Sequence, residues 1–378
     1  MRKFKKLCCL LFVITTLISC TTNKEKIKVK HIEKYIKYAK GFEISTVDNY
    51  TKLRVLSPFQ GASAPIDFYI VKEGEPIPSH LEKTNYIQLP LKRMVPTSTT
   101  HIPMIELLNG AENIVGFPST KYVSSPKTRQ LIDDKKILDL GNEQQLNTEV
   151  LLDLNPQLVI AFSVNGNHKN YNTIRQMNIP IIYNGDWLEP SPLGRAEWIK
   201  FFGVLLNKEK EADSIFSSIE QNYLAAKKLA QHQTSQKIVF SGGPYKDVWN
   251  IPAGNSYEAQ YYKDANLNYI FKETKGQGSL SMNVEQVFDQ AQHTDIWLSP
   301  SFYSSMELLG EANAIFKEFD AYKKQEVYTT TNTRGSTGGL IYFELATTRP
   351  DFVLKDLIKI GHPDLLPNYE MQFYKKLE

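Results

Sequence analysis

The chain has 378 residues, enough for two hydrophobic cores, and its 42% apolar and 22% charged residues exclude a disordered polymer. The formal charge is +3, of which Arg2, Lys3, Lys5 and Lys6 supply four cations; without them the balance is about −1, which gives a nucleic-acid partner no electrostatic support. The three cysteines are Cys8, Cys9 and Cys20, so the body beyond them has no disulfide, thiolate nucleophile or thiolate-held metal.

Residues 1–19 read as an export signal, with a basic start, an apolar run from Leu7 to Ile18 and Ser19 before Cys20. The apolar run is too short for a comfortable membrane span. Residues 20–41 are polar and Lys-rich and read as a tether. A first α/β lobe is expected over 42–192. It opens with YTKLRVLSPF and APIDFYIV, two alternating runs that read as a β-hairpin. RMVPTSTTHIPMIELLNGAENIVGF then reads as strand end, loop, helix and short strand, and LNTEVLLDLNPQLVIAF as helix, Asn-Pro stop and buried strand. Helices alternating with apolar strands predict mainly parallel sheets covered on both faces.

Residues 193–232 read as connecting helices. In the stretch Lys208–Gln231, Ala212, Ile215, Phe216, Ile219 and Tyr223 keep the spacing of a one-sided helix. A rod of that length is roughly 36 Å long at 1.5 Å per residue, enough to join two lobes. A second α/β lobe is expected over 233–378, with strands in KIVFSGG, TDIWLSP and EVYTTTN and a final amphipathic helix in RPDFVLKDLIKIGHP.

In open α/β sheets ligands sit beyond the carboxyl ends of the strands. The loops expected there supply His101, Tyr122, Trp187, Tyr245, Trp249, Phe302, Tyr303 and Arg334. Aromatics and a guanidinium suit a large, partly apolar, anionic ligand. His101, Trp187, Trp249, Tyr303 and Arg334 are the expected ligand contacts. Each has a plainer alternative: inter-lobe packing for the two tryptophans, a local backbone partner for His101, a surface ion pair for Arg334. Trp198 and Trp297 fall within regular elements and read as core. No nucleophile elbow, phosphate-binding loop or paired-histidine zinc motif is present, and the histidines have no metal-ligand spacing, so no catalytic residue, direct metal ligand or cofactor is expected. The alternative, a hydrolase, has only Ser98 with His101 as a hydroxyl–imidazole pair.

Leu17-Ile18-Ser19-Cys20 resembles the bacterial lipobox, which implies lipidation of Cys20 and an envelope protein anchored to a membrane. MVPTSTTHIPMIELLNGAENIVGF, LNTEVLLDLNPQLVIA and VWNIPAGNSYEAQYYKDANLNYIF resemble segments of the class III substrate-binding proteins of ABC importers, over about Met94–Glu378. That resemblance implies two lobes joined by one long spanning helix. It also implies capture of a ferric siderophore, or of haem or cobalamin, in the inter-lobe cleft by a monomer, with delivery to an ABC permease dimer. Glu149 and Glu285 occupy the same place in two similar motifs, LNTEVLLD and MNVEQVFD. Locally both are first-turn acids after the N-caps Asn147 and Asn283. The resemblance implies that both dock on the permease, one per lobe.

Overall fold

The computed structural model describes residues 29–30 and 35–378, apart from 48, 143–144, 167–168 and 247. The expected export signal, Cys20 and the expected tether up to residue 34, save 29–30, lie outside the described residues.

Two parallel sheets carry the lobes. In the first, Ile181–Tyr183, Leu158–Ala161 and Met94–Pro96 lie side by side in that order. In the second the order is Asn268–Tyr269, Ile238–Ser241, Ile296–Leu298 and Val327–Thr329, with Lys375–Lys376 added antiparallel at the edge. The central strands Leu158–Ala161, Ile296–Leu298 and Val327–Thr329 are buried at every residue. Strands covered on both faces need unbroken apolar side chains, which is why these segments do not alternate.

The leading hairpin forms, Tyr50–Val55 pairing antiparallel with Ile66–Val71, but it belongs to a five-stranded sheet with Val29–Lys30, Phe42–Val47 and Tyr86–Gln88. Its inward residues Phe42, Leu53, Val55, Phe68 and Ile70 share the core of the first lobe with Ile102, Ile105 and Phe202.

The spanning helix is Glu209–Gln231, about 35 Å long at 1.5 Å per residue. Ala212, Phe216 and Ile219 enter the first-lobe core, whereas Tyr223, Ala226 and Ala230 enter the second. One apolar stripe therefore belongs to two cores. Before it come the short helices Pro192–Ala196 and Ile199–Leu205.

From Lys37 to Gly41 the chain is bolted to this connecting region. Glu197, 0% exposed, accepts the backbone N–H groups of Lys37, Tyr38 and Ala39. Glu189 accepts those of Lys40 and Gly41 and the indole N–H of Trp198. Two buried carboxylates thus satisfy five consecutive amides, and Lys200 pairs with Glu197 at 3.1 Å. No described helix is long and apolar enough to cross a membrane.

Candidate functional site

A cleft of about 700 Å³ opens between the lobes. Thr97–Thr99 and Phe162 follow the first-lobe strands Met94–Pro96 and Leu158–Ala161, and Phe302 and Arg334 lie beyond the second-lobe strands Ile296–Leu298 and Val327–Thr329. All four groups lie at carboxyl ends, as the parallel topology requires. The first-lobe loops are tied together: Thr97 Oγ1 accepts the Phe162 N–H at 2.9 Å, and Tyr171 Oη donates to the Phe162 carbonyl at 3.0 Å. Phe302 (69% exposed), Tyr122 (55%) and Phe343 (52%) present aromatic faces to the open space. Exposed aromatics concentrated in one concavity mark a binding surface more than a packing one.

Arg334 lines this cleft and is exposed, with Nη1 donating to the Gly338 carbonyl at 3.1 Å and the rest of the guanidinium free to meet an anion. Its loop straps the second lobe onto the first. Thr337 Oγ1 donates to the Lys121 carbonyl at 2.8 Å, and Gly339 lies so close to Tyr122 that a Cβ there would collide with its carbonyl oxygen. Glu344 accepts the backbone N–H groups of Ser124 and Ser125. Burial pushes the Glu344 carboxyl up, against those two amides and with Glu106 adding to the rise, to about 7.

Behind the cleft a second cavity of about 180 Å³ is lined by Thr100, Asp186 and Trp187 of the first lobe, by Arg195 of the connecting helix Pro192–Ala196, and by Tyr257, Tyr261 and Tyr342 of the second lobe. The Arg195 guanidinium lies 3.7 Å from the Tyr257 ring centroid and donates from Nη2 to the Trp187 carbonyl at 2.9 Å. Burial raises the Asp186 carboxyl, and Arg195 opposes that rise.

Four of the five expected contacts lie outside the outer cleft. Trp249 is 0% exposed and stacks on Trp297 at 5.5 Å. The segment expected as a loop is a strand, Val248–Pro252, paired with Ser279–Met282, and strand alternation turns Trp249 and Ile251 inward. His101 starts the helix His101–Leu107, is 0% exposed and packs against Phe202 at 5.6 Å. Burial pushes its imidazole down to about 3, so it is neutral and sits in the core. Its two ring nitrogens have no partner and Ser98 Oγ lies 3.0 Å from Thr100 Oγ1, so the Ser98–His101 pair of the hydrolase alternative is not formed. Tyr303 packs against the second-lobe core, and its neighbour Phe302 takes the cleft. Trp187 stands in the inner cavity, not the outer cleft. Phe343 and Arg195 escaped the sequence reading because both fall in helical stretches, where an aromatic reads as core and a cation as solvated surface.

Glu149 and Glu285 are exposed first-turn residues of Thr148–Leu154 and Val284–Ala291. The caps are the asparagines: Asn147 Oδ1 accepts the Val150 N–H at 3.1 Å and Asn283 Oδ1 that of Gln286 at 2.8 Å. Neither glutamate side chain makes an ion pair among the described residues. Among those residues there is also no cluster of His, Cys, Asp or Glu able to hold a metal ion.

The family model for periplasmic binding proteins matches residues 95–333. An uncharacterized lipoprotein of Methanocaldococcus jannaschii is 27% identical, the match covering 94% of this chain and 88% of that one. A periplasmic heme-binding protein from Pseudomonas aeruginosa superposes with a TM-score of 0.56 at 15% identity, over 76% of this chain and 99% of the other. An ABC-type Fe3+-hydroxamate transport protein from Saccharomonospora viridis does so with a TM-score of 0.53 at 13% identity, over 72% and 93%. The chain belongs to the periplasmic binding protein family, the solute-capturing component of ABC import, and has the two-lobed α/β fold of its class III members.

Proposed function

We propose that this protein captures a metal chelate in the cleft of about 700 Å³ and delivers it to an ABC importer. A ferric siderophore is the first candidate, with haem or a corrinoid as the alternative for the same cleft. The observation that carries the reading is the meeting of exposed Phe302, Tyr122 and Phe343 with Arg334 between two lobes. A chelate presents flat apolar surface together with anionic oxygen, and that wall offers partners for both. The heme-binding and Fe3+-hydroxamate neighbours support the ligand class. In this reading Cys20 carries the lipid anchor, and Glu149 and Glu285 meet cationic pockets of the permease dimer. The helical connector favours a small closure on binding.

The test is a fluorescence-quenching panel of a ferric siderophore, haemin and cyanocobalamin, with scattering curves recorded for the empty and loaded protein. Saturable quenching by one class, lost in Phe302→Ala with Arg334→Ala, is the expected result. Failure of all three ligands to bind would refute the chelate reading, and a large domain rotation would refute the small closure.

A further inference from the structure

The inner cavity is built from polar groups that the protein itself leaves unmatched. Three of its lining residues carry buried polar atoms without a hydrogen-bond partner: Asp186 Oδ2, Trp187 Nε1 and Arg195 Nε. Buried polar groups are nearly always partnered, so three orphans around one space call for an occupant. The side chains are held in place. Asp186 is 1% exposed, the Trp187 ring rests against Phe162 at 5.9 Å, and Arg195 is fixed between the Trp187 carbonyl and the Tyr257 ring. Phe343 lines this cavity and the outer cleft alike, so a group attached to a ligand in the cleft has a short way in.

The orphans specify the occupant. Trp187 and Arg195 offer N–H donors, and Asp186 offers an acceptor. Arg195 and Asp186 oppose each other in charge, and together the walls offer both donors and an acceptor, which a neutral amide matches. A carboxylate brings only acceptors and sets a like charge against Asp186. An ammonium brings only donors and leaves Trp187 and Arg195 unmatched. A primary carboxamide meets all three, its carbonyl accepting from Trp187 and Arg195 and its NH2 donating to Asp186. At about 30 Å³ for each water in the liquid, the cavity of about 180 Å³ corresponds to roughly six waters, room for one side arm but not for a macrocycle.

We infer that this cavity is a subsite for a neutral, primary-amide arm of the chelate whose body lies in the outer cleft; the inference rests on the chelate reading above. Within that reading it favours the corrinoid alternative, whose arms are primary carboxamides, over the ferric siderophore named first and over haem.

Calorimetric titration of the full chain tests it with three probes: cyanocobalamin, whose periphery carries primary carboxamides; haemin, whose arms are carboxylates; and ferrichrome, a hydroxamate chelate without primary carboxamides. Cyanocobalamin is expected to bind tightest. Asp186→Asn and Trp187→Phe should each weaken it by about tenfold or more, the usual consequence of losing a buried hydrogen bond to a charged or fixed partner. Asp186→Asn should also narrow the gap to haemin, because the like charge is gone. If Asp186→Asn does not fold, Trp187→Phe, which deletes one N–H and keeps the ring, carries the test alone. Tighter binding of haemin or ferrichrome than of cyanocobalamin, or unchanged cyanocobalamin affinity in Trp187→Phe, overturns the subsite and leaves the chelate reading standing. Absence of binding by all three overturns both.

Discussion

Glu344 and Ser125 meet across the boundary between the lobes, the carboxylate of the second lobe accepting the backbone N–H of the first at 2.8 Å. Because burial raises this carboxyl to about 7, the folded protein holds its proton more tightly than the unfolded chain does. Stability from such a group is full below the ordinary carboxyl range and falls as pH rises through about 7. Denaturant titrations at pH 5 and pH 8 should therefore show a larger loss in the wild type than in Glu344→Gln, which cannot ionise. Equal losses in the two proteins would contradict the assignment.

Glu197 is expected to be a folding residue. Glu197→Ala leaves Lys200 with Asp213 as its one carboxylate partner, beside the Tyr35 carbonyl, and strips three backbone amides of their acceptor. Breaking a buried ion pair costs roughly 3–5 kcal/mol. Urea denaturation should show a loss of that order, and a loss below about 1 kcal/mol, the surface-pair range, would mean that Lys37–Ala39 are not held by this carboxylate.

Trp249 and Phe302 should separate cleanly. Trp249→Ala empties a stacked aromatic core and should cost roughly 3–5 kcal/mol of stability. Phe302→Ala removes an exposed ring and should leave the melting temperature almost unchanged while weakening the ligand by about tenfold. The reverse pattern, measured by melting and titration on the same preparations, would reassign both residues.

For Glu149 and Glu285 the discriminating measurement is uptake, since both are exposed and their helices are capped by asparagines. Charge reversal at either is expected to slow transport without changing ligand affinity, and the double reversal to slow it further. Transport at the wild-type rate by the double variant would reduce both residues to first-turn charges, worth about 0.3–1 kcal/mol each.

Cys20→Ala is expected to move the protein from the membrane to the soluble fraction with ligand affinity unchanged; membrane retention of the variant would remove Cys20 as the anchor.

The lobes and the spanning helix were legible because their signals are local. Ala212, Phe216, Ile219 and Tyr223 keep a helical stripe, and the unbroken apolar runs at Leu158–Ala161 and Ile296–Leu298 announce buried parallel strands. The cleft loops followed from topology, which is how Arg334 was found. What failed was the direction of side chains. Trp249 turns inward because its segment pairs with Ser279–Met282, a partner about thirty residues on that no local pattern reveals. The inner cavity was invisible for the same reason: Asp186, Arg195 and Tyr257 come together only through the packing of one lobe on the other.

The grip of Glu197 and Glu189 on Lys37–Gly41 has a mechanical consequence. Both carboxylates stand beside the connecting helices, and Glu220 of the spanning helix reinforces them through Lys37 and Tyr38. Tension strong enough to free Val29–Lys30 from its two-residue pairing with Thr46–Val47 arrives at the fulcrum, where it has no lever arm on either jaw. A leash fastened there can drag or swing the receptor without prising the cleft open, so restraint and cargo stay mechanically independent.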